Sequence, residues 1–255
     1  MKYVINGGNK LFGKLSVDSA KNAILPIIAA TIMCDEECVI EKIPLYLDVI
    51  EMSAILEKLG KKVAIQDENL IISGSLNSTS VIMAETKTLR SSIFMLGPIL
   101  ARYRKAIFTS PGGCDIGNRP IDLHIKGLKA LNVKITEKHG YIYCDGKNMC
   151  SGEVHLDFPS VGATENIMLA ASRLKGKTRI VNAAKEPEIE DLSDFLNKMG
   201  AKIQVTGRRA VINGVQQLHG ATVGALDLRG GAALVLAGLN AQGVTVVDGA
   251  EHVLR

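Results

Sequence analysis

The stretch SGEVHLDFPSVGATENIMLAASRLKGKTRIVNAAKEPEIEDLSDFLNKMGAKIQVTGRRAVING, residues 151–214, decides the fold, because its elements recur along the chain. It reads as a short strand, an apolar helix, a second strand, an acidic helix closing on Gly200, and a hairpin. Residues 12–74, from FGKLSVDSAKNAILPIIAAT through VIEKIPLYLDVIEMSAILEKLGKKVAIQDENLIISG, follow the same order almost element by element. A further copy runs over residues 89–146, and HGATVGALDLRGGAALVLAGLNAQGVTVVDGAEHVLR, residues 219–255, reads as the opening of a fourth, up to where its second helix is expected. A recurrence of about 60 residues with this content is a βαβαββ repeat, a unit that cannot bury its own helices and needs neighbours.

The first helix of each copy is apolar all round, at residues 24–33, 93–100, 167–174 and 232–239. A helix without a polar face belongs inside. The strands between alternate apolar and polar residues, as in VAIQDENLIIS, which suits sheets with one face in water. The predicted class is therefore α/β, an inside-out barrel with helices at the centre, sheets outside and pseudo-threefold symmetry where three units close. Unit symmetry predicts one three-unit domain over residues 21–225, with residues 1–20 and 226–255 belonging to a partial second one.

Composition narrows the chemistry. Of 255 residues, 47% are hydrophobic and 22% charged, enough to bury a large core, and the net charge of +4 suits a small anionic ligand. Lys and Arg are scattered and the aromatic residues form no stacking platform, so nucleic acid is not the expected partner. The most apolar run, from Asn22, is about 12 residues against the ~20 of a bilayer span, so no membrane insertion is expected. Five cysteines (Cys34, Cys38, Cys114, Cys144, Cys150), an odd number with no signal peptide before them, point to reduced thiols and a cytoplasmic location. The CDEEC spacing lacks partner ligands, and no metal site is expected.

Several segments carry candidate chemistry. In SPGGCDIGNRPIDLH, residues 110–124, Gly112 and Gly113 give a mobile loop around Cys114, with Arg119 and Lys126 supplying positive charge; the thiol reads either as reactive or as a small apolar residue at a hairpin tip. VDSAKNAILP sets Lys21 and Asn22 at the start of a buried helix, either an anion site or a solvated helix end. FPSVGATEN repeats that geometry with Ser160, Val161 and Gly162, a turn for a diphosphate or a plain N-cap. Glu186 and Glu188 flank Pro187, and Asp227 and Arg229 open the fourth apolar helix; both sets read as structural ion pairs or site groups. His124 reads as scaffold.

Taken together, GxxxxxxSAKNA, LRxS, PGGCxIGxRPxDLHxxGL, FPSVGATEN, AxEPEIxDL and DLRxGAALVLAGL resemble the UDP-N-acetylglucosamine 1-carboxyvinyltransferases over essentially the whole chain. The resemblance implies the enolpyruvyl transferase fold and transfer of the enolpyruvyl group of phosphoenolpyruvate to the 3-hydroxyl of UDP-N-acetylglucosamine, with loss of phosphate and no cofactor or metal. It implies that Lys21, Arg119 and Arg255 bind phosphoenolpyruvate, and that Cys114 is the loop thiol that donates a proton and is alkylated by fosfomycin. Asn22 and Arg90 match substrate-site positions, Pro120, Ile121, Asp122 and Leu123 the uracil-binding stretch, and Ser160, Val161 and Gly162 the diphosphate turn. Asp115, beside the thiol, is expected to favour its protonated form.

Family members carry six units in two domains crossed twice by the chain. Here three units are followed from about residue 207 by sequence like the family's last unit. Two middle units are thus expected to be absent, together with an FPTD-type aspartate, the family's candidate base, for which Asp227 is a partial stand-in. On that reading the chain binds the sugar nucleotide weakly and turns it over slowly. The related shikimate-3-phosphate transferase, a catalytically impaired sugar-nucleotide-binding protein and a pure repeat scaffold are the alternatives; the cysteine loop and RPIDLH speak against the first, and Lys21, Cys114 and Arg119 stay unexplained by the last.

Overall fold

The computed structural model describes residues 14–16, 21–82, 90–109, 121–224 and 246–248, with side chains over 22–82, 92–109 and 121–222. The first unit comprises β1 (Lys14–Ser16), α1 (Lys21–Ala30) prolonged by a 3-10 turn (Thr31–Met33), β2 (Cys38–Glu41), α2 (Leu47–Lys58), β3 (Lys62–Gln66) and β4 (Asn69–Ser73). The second has β5 (Ser80–Val81), a 3-10 helix (Arg90–Met95), α3 (Leu96–Tyr103), β6 (Lys105–Thr109), α4 (Asp122–Ala130), β7 (Lys134–Lys138) and β8 (Tyr141–Asp145). The third has β9 (Glu153–His155), α5 (Val161–Ala171), β10 (Gly176–Val181), α6 (Pro187–Lys198), β11 (Lys202–Thr206) and β12 (Arg209–Gly214). Two short strands follow, β13 (Thr222–Gly224) and β14 (Val246–Asp248).

The apolar helices are inside and the sheets outside. In α1 and its 3-10 extension, Ile24, Leu25, Ile27, Ile28, Ile32 and Met33 are all at most 2% exposed. At roughly 1.5–3 kcal/mol for each apolar side chain taken from water, this helix alone supplies a large share of the driving force that offsets chain entropy. The hairpin strands turn alternate residues outward, as in β8, where Ile142 and Cys144 are buried between exposed neighbours. The second helix of each unit ends in the same way. The amides of Gly60 and Lys61 bond back to Glu57 and Leu56, those of Asn132 and Val133 to Lys129 and Leu128, and those of Gly200 and Ala201 to Asn197 and Leu196. Each end needs a left-handed residue, with φ of +113° at Gly60, +62° at Asn132 and +101° at Gly200. Asn is the side chain that tolerates this conformation best, so the second copy keeps the geometry without glycine.

The second apolar helix differs from its expected form. A single helix over 93–100 is replaced by the 3-10 helix followed by α3, because Pro98 has no N–H to give to the carbonyl four residues earlier.

Each unit builds a four-stranded sheet: β5-β6-β8-β7 in the second and β9-β10-β12-β11 in the third. In both, the unit's own first strand lies parallel to the strand after the apolar helix. In the first sheet that place is taken by β13, which pairs in parallel with β2 from Thr222↔Val39 to Gly224↔Glu41, while β1 pairs in parallel with β14. The third unit thereby closes onto the first. The seam is tight: the amide of Gly220 donates to Glu36 Oε2 at 2.8 Å, and a Cβ on Gly220 would meet the Glu37 carbonyl oxygen at 1.9 Å.

At the centre, α3 and α5 touch through Gly97, whose amide donates to Asn166 Oδ1 at 2.7 Å and where a Cβ would fall 2.4 Å from both oxygens of Asn166. Neither oxygen can withdraw, one being helix backbone and the other part of a buried hydrogen bond. Gly97→Ala is therefore expected to destabilise the fold by about 2–4 kcal/mol. A denaturant midpoint unchanged from wild type would contradict this contact.

Candidate substrate site

The most complete part of the site is the start of α5. Ser160 has extended backbone and caps the helix, its Oγ accepting from the Ala163 amide at 3.3 Å and its carbonyl from Thr164 Oγ1 at 2.8 Å. The Val161 and Gly162 amides lie outside the helix's own ladder and point, with the positive end of the helix dipole, toward whatever approaches the turn. Thr164 Oγ1 also accepts from the Ala184 amide at 3.0 Å, tying the turn to the segment that leads into α6.

Glycine at 162 is set by its neighbours. A Cβ there would stand 3.3 Å from His124 Cε1, 3.3 Å from Phe94 Cε1 and 3.4 Å from His124 Nε2. The turn at residues 160–162 thus lies on the first turn of α4, which carries Ile121, Asp122 and Leu123, and on the 3-10 helix that begins at Arg90. His124 is 5% exposed, and its Nδ1 accepts from Asn166 Nδ2 at 3.1 Å; the second hydrogen of that amide goes to the Ile93 carbonyl at 3.1 Å. With Nδ1 accepting, the ring proton resides on Nε2, the edge turned to Gly162. The scaffold reading of His124 agrees with this arrangement. Close approach of α4 to α5 is permitted by Gly127, where a Cβ would meet Ile167 Cδ1 at 2.2 Å.

Other candidates are placed less fully. Lys21 opens α1 and Asn22 is half-buried in its first turn, where Pro26 deprives the Asn22 carbonyl of its usual helical donor. Arg90 begins the 3-10 helix. The side chains of Lys21 and Arg90, and all of Cys114, Arg119, Pro120, Asp227, Arg229 and Arg255, lie outside the described residues. Lys126, expected near the thiol, pairs with Asp157 at 2.5 Å on the surface.

Charge placement adds Glu165, which is not singled out in the sequence, to Glu188, which is. Glu165 and Glu188, on α5 and at the start of α6, are both 0% exposed. Glu165 stands just before the run 167–174 read as apolar, and a carboxylate beside such a run is the available signal. Along α6, burial and then the nearby Glu188 push the Asp191 carboxyl up to about 6. A carboxyl raised above its ordinary value binds its proton more tightly in the native state, so its contribution to stability falls as pH rises from about 4 to 6. Asp191→Asn should therefore match wild type near pH 4 and exceed it by about 1–2 kcal/mol near pH 7.5, allowing for partial exposure. Denaturant midpoints at the two pH values check this, and equal midpoints at pH 7.5 would contradict it.

Comparison with known proteins places this geometry in a family. The chain is 51% identical over 220 residues to UDP-N-acetylglucosamine 1-carboxyvinyltransferase 2 of Caldanaerobacter subterraneus subsp. tengcongensis, covering 86% of this chain and 53% of that protein. It is 44% identical over 263 residues to UDP-N-acetylglucosamine 1-carboxyvinyltransferase 1 of Staphylococcus aureus (strain N315), covering 98% of this chain and 62% of the relative. The chain spans about half to three fifths of the length of these curated relatives. Among solved structures, the enolpyruvyl transferase NikO from Streptomyces tendae superposes with a TM-score of 0.83 at 18% identity, over 95% of this chain and 59% of that one. EPSP synthase from Acinetobacter baumannii gives 0.71 at 18% identity, over 91% and 54%. At such identities the two structures speak for the fold alone, and it is the enolpyruvyl transferase fold. With a family model matching residues 5–223 and relatives near half identity, the chain belongs to the EPSP synthase (3-phosphoshikimate 1-carboxyvinyltransferase) family.

Proposed function

We propose that this chain is part of an enolpyruvyl transferase that moves the enolpyruvyl group of phosphoenolpyruvate to the 3-hydroxyl of UDP-N-acetylglucosamine, releasing phosphate, in the cytoplasmic synthesis of peptidoglycan. The observation that carries the reading is the turn at residues 160–162, seated on His124 and Phe94, within a sequence 51% identical to a relative named for that reaction. The relatives' names favour the sugar nucleotide over shikimate phosphate as acceptor.

In this reading the Val161 and Gly162 amides hold the diphosphate, and Pro120, Ile121, Asp122 and Leu123 hold the uracil. Asn22, Arg90, Asp227 and Arg229 complete the substrate site. Lys21, Arg119 and Arg255 neutralise the phosphate and carboxylate of phosphoenolpyruvate, a task that several cations share well because Arg pairs with either group bidentately. Cys114 donates the proton to the enol carbon while the adding hydroxyl gives its own to Asp227, the stand-in base, and loss of a methyl proton together with phosphate completes the transfer; the proton to carbon must come from a placed acid in a site closed to water. Residues 21–225 make one domain, and residues 1–20 and 226–255 belong to a second. The parallel pairing of β1 with β14 and of β13 with β2 supports that division.

Two measurements test the reading. Calorimetric titration with UDP-N-acetylglucosamine should give saturable binding that Gly162→Ala weakens by roughly tenfold, since the added methyl presses on His124 and Phe94 and displaces the turn whose amides meet the diphosphate. Equal affinity in the variant would remove the turn from the site. Fosfomycin should add one equivalent by intact mass, mapped to Cys114; modification of Cys34 or Cys150 in its place would overturn the thiol assignment.

A further inference from the structure

We propose that Cys34 and Cys38 form a peroxide-reactive dithiol, which hydrogen peroxide converts to an intramolecular disulfide at the seam where the third unit closes on the first. The two sulfurs are 3.6 Å apart in van der Waals contact, on either side of the bend that leads from the 3-10 turn into β2. Lys61 stands over them. It is 4% exposed, and its Nζ donates to the Cys34 carbonyl at 2.6 Å.

Comparison among the three units makes this cluster anomalous. Lys61 follows the left-handed residue after α2; the corresponding positions after α4 and α6 hold Val133 and Ala201, both buried. Cys38 pairs with Ile72, and the matching registers pair Ala106 with Cys144 and Thr178 with Ile212. One unit thus carries a buried lysine and the Cys38 thiol where the others carry small or apolar groups. Burial, and Arg102 nearby, draw the Lys61 ammonium toward its neutral form, and negative charge at Cys34, Cys38 and Asp35 opposes this, so a Cys38 thiolate and the Lys61 cation favour one another. The Cys38 thiol is drawn down to about 7 by the hydrogen bond from Cys34, assisted by the Ala221 amide and Lys61 and opposed by burial and Glu36. The Cys34 thiol is pushed up by the shared hydrogen bond with Cys38 and then by burial.

Burial selects the oxidant. With Cys38 at 0% and Cys34 at 4% exposure, a bulky disulfide has no approach, whereas hydrogen peroxide is little larger than water. The Cys38 thiolate attacks one peroxide oxygen, the O–O bond breaks and hydroxide leaves, giving a sulfenic acid at Cys38. The Cys34 sulfur then attacks the Cys38 sulfur, the S–O bond breaks, and the hydroxyl leaves as water with the Cys34 proton. The first hydroxide recovers the proton that the Cys38 thiol had released. Two thiols and one peroxide become one disulfide and two waters.

The bond draws the sulfurs from 3.6 Å to about 2.05 Å, and the bend must follow. That bend carries the Glu36 carboxylate that holds the Gly220 amide, and it precedes Val39, whose amide donates to the Ala221 carbonyl at 3.0 Å. Oxidation also removes the thiolate opposite Lys61. The consequence is a loosened seam between β2 and β13.

The test uses the full chain and no activity assay, so it stands apart from the enzymatic reading. After treatment with hydrogen peroxide, peptide mapping without reductant is expected to show the segment holding Cys34 and Cys38 lighter by two hydrogens, restored by dithiothreitol. The Val39 amide should lose its protection from hydrogen exchange in the oxidised form only. In Cys34→Ala, which cannot close the bond, the same peroxide treatment should leave the Val39 amide as protected as before. Cys34 and Cys38 left as thiols, or carrying oxygen without a cross-link, would overturn the proposal. So would loss of Val39 protection in peroxide-treated Cys34→Ala, or a disulfide that leaves Val39 exchange unchanged.

Discussion

A helix with no polar side is stable only where other protein covers its whole circumference, and three such helices in one chain can cover one another only if their units close. Closure requires a strand at the open edge of the first sheet. That strand is β13, and with it in place the three sheets form a wall around α1, α3 and α5. The exposed edges and the unsatisfied backbone that an open arrangement would leave are thereby avoided.

The same requirement builds the site. Packing three apolar helices this closely needs contacts without side chains, and Gly97, Gly127 and Gly162 are where neighbouring elements meet. At Gly97 the backbone of α3 bonds to Asn166, and the other end of that amide orients His124. His124 in turn faces the turn at Gly162. A ligand at the Val161 and Gly162 amides would therefore rest on groups whose positions are set by the core itself, which lowers the ordering that binding must pay for.

Much of this was legible in the residues. The repeat announced the units; the unbroken apolar runs announced burial; Gly60 and Gly200 marked the helix ends. The pairing of Glu36 with Gly220 was not legible, since nothing local in the sequence marks a partner 184 residues away. The buried Lys61 also escaped notice, because in GKKVAIQ it looks like any lysine before a strand. Its place opposite two thiols appears only when the three units are superimposed by their hydrogen bonds. The burial of Glu165 was signalled only by its place beside the apolar run at residues 167–174, which names no partner. In the sequence Cys34 and Cys38 read as reduced thiols without partner ligands, because Lys61 stands beside them only in space.

The claim on which the account rests is that the turn at the start of α5, backed by His124, receives the diphosphate of a sugar nucleotide. The most direct measurement is a titration of the nitrogen-15-labelled chain with UDP-N-acetylglucosamine, followed at individual amides. The account predicts progressive, saturable shifts at Val161 and Gly162 that a hydrogen-bonded anion produces, with a smaller response in the His124 ring. Saturable binding that leaves those two amides unmoved while shifting others far from the turn would contradict it.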